Sequence, residues 1–555
     1  MSGELTPQRP APPWWGRSYG TDWLFVPGSA GAEGLLTLPE VDLLHEGQRA
    51  MLRFVGDDSP LVAVHGSGAS ISARAEQRGV TIEGAMVHLD VRWGGVLRHR
   101  YSSRPMPVML GVRWDPWAYA LVFEPAGEVP MGAFAIAPHG GVNRVHVGGI
   151  DWDPERESRQ PLQDRVRGML DLPGPVHLAV GIDGDSAAGA AHALRRSVGR
   201  PAERGLFVPE GLSARTIENL RFCRIGALGR AIDTGEWLPV TSRSPRYDLP
   251  ATFRARDWFR WALPAITACD PDAARDGLVA ACRLVATAPG MHALDPAGAP
   301  HFGGFQLDAA CDAVLGVGDY VRVTGDAAVV SEPEVDDALR AVAEELPRWH
   351  DRAFGLFRTE LAPSGDLAPG PFLAVPNAMA IAAYEVLGRL RVIEHSSAVP
   401  KLAGLWRQAF VQDGWIVGAL GPEGQPFNWD DPTASVSMLG RLGTLDRRDE
   451  SAWRRTVEHL MSARNPNHVA GRYSGERSAW MAGPCLESLA ERMLAFPSGR
   501  DVSDEGRMVA EHAPLDADGM ACETYDAESG AALTGVGWAA GSGLLAAALI
   551  TAAGL

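Results

Sequence analysis

The sequence predicts a multidomain protein: an N-terminal antiparallel β-sandwich followed by an (α/α)6 barrel. Three observations carry this expectation. The chain has 555 residues, more than one ordinary core holds. From about Leu24 to Asp183 apolar residues recur with period two, broken by turn signals, as in strands with one buried face. From about Leu212 the period lengthens to that of helices, about 3.6 residues. The expected boundaries are a sandwich over 1–185, a linker with a short helix over 186–211 and the barrel over 212–555.

Taken in order, "VTIEGAMVHLDVRW" alternates, and "RWGGVL" predicts a Gly-Gly turn between two strands. "PVMLGVRWD", "YALVFEP", "RVHVGGIDW" and "VHLAVGID" continue the pattern with no long helical stretch between them. Ser186 to Gly199 reads as a short helix, and "RPAERGLFVPEG" as a Pro-bounded linker. Helical stretches then fall near 212–232, 256–287, 305–323, 333–354, 374–392, 399–413, 433–446, 450–464, 479–496, 503–513 and 533–553. A superhelical array would show an internal repeat, and none is visible, so a closed double ring of hairpins fits better.

Composition narrows the function. Hydrophobic content of 46% with 21% charged residues describes a globular chain. A net charge of −17 argues against nucleic acid or an anionic membrane as partner, since both call for a basic surface. Lys401 is the one lysine, which disfavours Schiff-base chemistry and a phosphate-binding loop lysine. Cys223, Cys269, Cys282, Cys311, Cys485 and Cys522 are scattered, as expected of buried thiols in a reducing compartment. The start "MSGELTPQRPAPPWW" lacks the basic and apolar regions of a secretory signal, so a cytoplasmic location is expected. The uncharged C-terminal "TGVGWAAGSGLLAAALITAAGL" is long enough to span a bilayer, but its Gly/Ala content and lack of flanking cations fit a helix buried in a helical core better. His292, His301 and His468 show no metal-ligand spacing. Neither a metal nor a cofactor is expected.

Four stretches in the C-terminal half carry a resemblance: "FRARDWFRWALPAITACDPDAARDGL", "HFGGFQLDAACDAVLGVGDYVRVTGD", "FLAVPNAMAIAAYEVL" and "CETYDAESGAALTGVGWAAGSGLLAAAL". In this order they resemble the (α/α)6 six-hairpin glycosidases, most closely the amylo-alpha-1,6-glucosidase domain of glycogen-debranching enzymes, with trehalases and processing α-glucosidases as cousins. The family's Gly-Arg-Asp is Ala255-Arg256-Asp257 here, and its proline-asparagine-glutamine step is replaced by "NWDDPTASVSML". The resemblance implies an inverting, exo-acting hydrolase of an α-linked glucoside or related oligosaccharide, with Asp257 as general acid and Glu523 as general base. Asp308 stands where the family has a ligand-binding aspartate, and an ion pair inside the barrel is its alternative reading.

Glycoside hydrolysis needs one carboxyl to protonate the leaving oxygen and a second to activate water or attack. Asp257 at a helix start beside Arg254 and Arg256 sets a conflict, because a general acid must keep its proton while these neighbours favour the anion. The expectation is that the arginine guanidinium points to sugar hydroxyls or to a second carboxylate, not to Asp257. Sugar faces stack on aromatic rings while hydroxyls seek charged partners. That marks Trp237, Trp258, Trp429, Trp480 and Trp538, and the mixed stretches holding Tyr247 and Asp430, as substrate-binding candidates together with Arg256. Core packing is the alternative for about half of these tryptophans. Trp14, Trp15, Trp114 and Trp117 are expected to pack the sandwich. Three other readings stay open: a sugar phosphorylase with Arg243 and Arg246 as phosphate ligands, a polysaccharide lyase, and a non-catalytic carbohydrate-binding protein.

Overall fold

The computed structural model describes strand segments between Trp23 and Gly181, a few residues near 184–192, and most of 211–553 apart from 231–236, 243–246, 248–251, 295–297, 299, 395–397, 479–480, 497–502 and 516–519. The chain divides into two compact units. One is Met1–Gly205 with Gly229–Leu238 and Arg243–Pro245; the other is Leu206–Leu228, Pro239–Ser242 and Arg246–Leu555.

The first unit holds two antiparallel sheets. One centres on Met86–His99, flanked by Ala32–His45 and Arg165–Pro173; the other runs through Leu110–Asp115, Ala120–Pro125, Ala133–Pro138 and Val176–Gly181. The side chains of Trp14, Trp15 and Trp114, expected to pack a sandwich, lie outside the described residues. The expected Gly-Gly turn is absent: Met86–His99 is one continuous strand. Gly94 pairs with Thr37 on one side and Arg165 on the other, so ladders on both edges hold the backbone extended. The irregularity falls instead between Thr37 and Glu40 of the partner strand, as a bulge would. Trp117 is 66% exposed and stacked on His192 at 4.3 Å, a correction to its expected place in the packing.

The second unit is helix-rich with small antiparallel hairpins. Helix α1 (Ala214–Gly226) is capped by Ser213, whose side chain accepts from the Thr216 N–H. The single helix expected over 256–287 is three pieces. A π-helical segment, Arg256–Ala262, continues as α2 (Leu263–Cys269) and stops at Asp270. Asp270 then caps α3 (Pro271–Thr287) through the Ala273 N–H, with Pro271 at the first helical position. Helix α4 (Leu307–Thr324) is ended by Gly325 in the left-handed region. Then come α5 (Pro333–Glu345), α6 (Ala374–Arg389), α7 (Val399–Phe410), the short α8 (Leu439–Leu442), α9 (Glu450–Leu460), α10 (Leu486–Ala495), α11 (Ser503–His512) and α12 (Ala539–Ala553). The helix expected over 433–446 shrinks to two 3-10 turns and α8, because the Asp431 and Ser435 side chains take local main-chain N–H groups.

These helices pack as two layers. The π segment with α2 touches α4, α4 touches α6, and α6 touches α8. Helix α8 and the turn before it touch α10, α10 touches α12, and α12 touches the π segment again. The intervening helices lie outside this set: α1 on α12 and α2, α3 on α2 and α4, α5 on α4 and α6, α7 on α6, α9 on the turn before α8, and α11 on α10 and α12. The Gly/Ala-rich α12 is therefore a core helix. A Cβ on Gly543 would stand 2.7 Å from both Cys223 Sγ and Trp261 O, so small residues let its backbone press against α1 and the π segment. Its Leu544, Leu545 and Leu549 are buried, each contributing on the order of 2 kcal/mol. No helix among the described residues is long and apolar enough to cross a membrane. None of the six cysteines is in a disulfide, and all are buried.

Candidate active site

The contact between the π segment and α12 brings the first of these layers' elements to the last. The π geometry matters locally. The Leu263 N–H bonds to Trp258 O, one residue further back than in an α-helix. Residues five apart then stack: the Arg256 guanidinium lies over the Trp261 ring, 4.6 Å from its centroid. Arg256 Nε and Nη2 both reach Asp257 Oδ1 at 2.9 Å, and Nη1 donates to Pro363 O at 2.7 Å. The expectation that the arginine points away from Asp257 is therefore corrected. In the widened turn, adjacent residues 256 and 257 pair, and the stacked ring and carbonyl fix the guanidinium in place.

Asp257 is fully buried. Burial by itself would raise its pKa, but Arg256 and then Arg254 outweigh it and hold the carboxyl below its ordinary value. Its Oδ2 and the Thr241 hydroxyl are both buried, and Thr241 adds to the pull towards the anion. Arg254 is buried too, with its Nε unpartnered. Its charge acts on Tyr247, Asp257, His292 and Glu523.

Glu523 comes from the other end of the unit. It precedes the strand Thr524–Tyr525, with its N–H on Thr534 O at 3.1 Å and its carbonyl accepting from Leu486 N at 3.0 Å. The first bond closes a hairpin and the second zips this hairpin to the start of α10. Gly535, at φ +69°, lies directly against it: a Cβ there would stand 2.3 Å from Glu523 Cγ. Tyr247 donates its hydroxyl to Glu523 Oε1 at 2.7 Å and stacks on Trp538 at 6.3 Å, which in turn meets Trp261 edge-on at 5.2 Å. Glu523 remains partly accessible. Burial raises its pKa, and the Tyr247 hydrogen bond and Arg254 partly offset the rise.

A third carboxyl joins them. Glu487, in the first turn of α10, is 5% exposed, and its Oε2 is buried with no hydrogen-bond partner among the described residues. Burial, then the like charge of Glu523, push its pKa up to about 8. The charges of Arg256 and Asp257 also act on it, as they do on Glu523. Sequence reasoning missed Glu487. It is one acid in "CLESLAERML", and nothing local announces that its helix start is buried.

A second polar cluster lies alongside. Arg260 bridges Asp312 (2.9 and 2.8 Å) and Asp308 (3.3 Å) and donates to Thr433 O at 3.0 Å. Asp308 thus takes the ion-pair reading, though its Oδ1 is buried and unpartnered. Burial lifts its pKa to about 6 against the pull of Arg260. Gln306 Nε2 donates to Ala362 O and Pro363 O at 3.1 and 2.9 Å. These bonds orient the amide, so its Oε1 accepts from His292 Nδ1 at 2.7 Å. Burial and Arg254 push His292 down to about 3, keeping the ring neutral. The loop carrying Pro363 is also tied through Ser364 N to Asp431 Oδ2 at 2.9 Å.

The remaining candidates separate. Trp258 is fully buried, its ring where a Cβ on Gly277 of α3 would fall at 2.6 Å, so it packs against the outer layer. Trp538 is fully buried and backs Tyr247. Trp429 is half-buried against Ala362, Leu373 and Ala419. Asp430 accepts from Val436 N at 2.8 Å, and burial and Glu476 raise its pKa well above the ordinary value. Trp237 is half-buried in the strand Trp237–Pro239. Trp480, Arg243 and Arg246 lie outside the described residues. Among the described residues no group of three His, Cys, Asp or Glu side chains is arranged to hold a metal ion.

No family model matches the chain, and no curated protein matches it. Solved structures give distant likenesses. One is a metal-independent α-mannosidase of Streptococcus pneumoniae, at 13% identity, covering 60% of this chain and 93% of that one with a TM-score of 0.47. Another is the cellobiose 2-epimerase of Spirochaeta thermophila DSM 6192, at 13% identity, covering 56% and 88% with a TM-score of 0.41. A third is the GH78 rhamnosidase of Bacillus sp. GL1, at 12% identity, covering 88% of this chain and 49% of that one with a TM-score of 0.45.

Proposed function

We propose that this chain is an exo-acting, inverting glycoside hydrolase for an α-linked glucoside or related small oligosaccharide, working without a cofactor and built on a closed (α/α)6 double ring. The carrying observation is the Tyr247 hydroxyl on Glu523 Oε1, 276 positions apart in sequence, with the charges of Arg256 and its partner Asp257 acting on the same carboxyl. Glu523 is the general base. It is the partly accessible carboxyl, and the Tyr247 hydroxyl favours its ionised form, as a base that takes a proton from water requires. Arg254, buried with an unpartnered Nε, supplies a donor for sugar hydroxyls. Inversion, the glucoside preference and the cytoplasmic setting are the expectations drawn from the sequence and its resemblance.

The test is a panel of nitrophenyl glycosides and disaccharides, with and without phosphate, read by proton NMR for the first-formed anomer. Hydrolysis with inversion, reduced on the order of 10²–10⁴-fold in Glu523→Gln, supports the reading. Turnover only with phosphate replaces it with a phosphorylase. Sugar binding without turnover replaces it with a binding protein.

A further inference from the structure

The hydrolytic reading needs a carboxyl that enters the reaction carrying a proton, and Asp257, Glu487 and Glu523, each acted on by the Arg256 charge, differ in their fitness for that. Asp257 is the least fit. Two N–H groups of one guanidinium converge on its Oδ1, and that guanidinium is itself fixed by Pro363 O and the Trp261 face. Hydrogen bonds of this kind favour the anion, and Asp257 has no exposed surface.

Glu487 shares a buried, unpartnered carboxyl oxygen with Asp257 but has no guanidinium pair of that kind among the described residues. Its Oε2 is buried without a hydrogen-bond partner among the described residues, and it keeps a sliver of accessible surface. The Leu486 N–H to Glu523 O bond holds the start of α10 against the Glu523 hairpin, so the two glutamates act on each other as like charges. Both low polarity and a like charge favour the protonated form.

Resting on the hydrolytic reading, we infer that Glu487 donates the proton to the leaving oxygen, and that Asp257 is a positioning residue that fixes Arg256. The Glu487 proton passes to the glycosidic oxygen as the bond from that oxygen to the anomeric carbon breaks. Water forms the new carbon–oxygen bond and gives one proton to Glu523. Glycoside and water become free sugar and alcohol, leaving Glu487 ionised and Glu523 protonated. Return of that proton to Glu487, directly or through water, restores the starting state.

The experiment compares two substrates of one sugar: a disaccharide, whose leaving group needs a proton, and a 2,4-dinitrophenyl glycoside, whose leaving group does not. For Glu487→Gln the expected result is a 10²–10⁴-fold loss in kcat/KM on the disaccharide and less than about tenfold on the activated glycoside. The basic limb of its pH profile should vanish. Asp257→Asn should lose activity on both substrates alike and keep the basic limb. Glu487→Asp, a second variant that keeps the acid, should show the same leaving-group selectivity with a smaller loss. The parent enzyme alone should show a basic limb on the disaccharide that is missing on the activated glycoside. Selective loss in Asp257→Asn, with none in either Glu487 variant, overturns the inference while hydrolysis itself stands. A parent that turns over neither substrate, or a Glu523→Gln variant as active as the parent, overturns the hydrolytic reading and the inference with it.

Discussion

The Tyr247 hydroxyl meets Glu523 Oε1 at 2.7 Å across 276 positions of sequence. Behind it Trp538 stacks on the tyrosine ring and Trp261 stands edge-on to Trp538. A residue just before the π segment is thereby locked to the last hairpin of the unit by a charge-assisted hydrogen bond with an aromatic backing.

Removing that bond gives the first prediction. The hydroxyl lowers the pKa of Glu523 against the rise caused by burial. Tyr247→Phe therefore raises it, and a base with a higher pKa is lost at higher pH. The acidic limb of the kcat/KM profile should move up by about one unit, the equivalent of about 1.4 kcal/mol. Activity at high pH should change little. A pH series on one glycoside checks this.

Gly535 supplies the second. Its φ of +69° already disfavours a side chain, and a Cβ would stand 2.3 Å from Glu523 Cγ and 2.6 Å from its N. Gly535→Ala should displace the Glu523 hairpin and lower kcat/KM on the order of 10²-fold. Gly443 is the control: it shares φ +69°, but nothing lies within 4 Å of its Cβ position. Gly443→Ala should cost about 1 kcal/mol of stability with kcat/KM unchanged. Thermal unfolding and kinetics on the pair separate strain from displacement.

The third concerns proton linkage at Glu487. Its pKa is raised in the fold to about 8, against about 4.3 for an unfolded glutamate. The folded state thus binds the extra proton across that window. The stability tied to it is fully present below the unfolded pKa and is lost as pH rises toward 8, at up to about 1.4 kcal/mol per unit. Glu487→Gln removes this slope. Relative to the parent, the variant should gain on the order of a few kcal/mol between pH 5 and 8, read from denaturant unfolding at each pH. A difference that stays flat with pH would show the carboxyl to be ionised throughout.

Gly277 on α3 gives the fourth. Alanine is favoured over glycine in a helix interior by about 1 kcal/mol. Here, however, the added Cβ would meet the fully buried Trp258 ring at 2.6 and 2.8 Å. Overpacking of this kind costs about 1–3 kcal/mol, so Gly277→Ala should lower the melting temperature. Full activity in the folded fraction is expected, because the clash falls on the outer-layer side of the Trp258 ring.

Local chemistry was legible in the sequence wherever one residue decides it. The change of hydrophobic period marked strands before about 183 and helices after about 212. The apolar α12 was readable as a core helix because its Gly and Ala positions suit close backbone contact, as Gly543 against Trp261 O does. The break at Asp270-Pro271 was equally local, yet the continuous apolar stripe on both sides hid it. Gly94-Gly95 misled in the other direction: a turn dipeptide stays extended when strands pair on both of its edges.

The sequence by itself determined the helical composition of the second unit, where most of its helices fall, and Asp257 and Glu523 as acids worth testing. Tertiary structure alone decided that Arg256 binds Asp257 rather than pointing away, that Trp258 turns into the packing, and that Glu487 is buried at a helix start tied to the Glu523 hairpin. The physical reason is that propensity and capping act over a few neighbouring residues. Burial and electrostatics act through space, and a carboxyl's proton is set by whatever the fold places within a few ångströms of it.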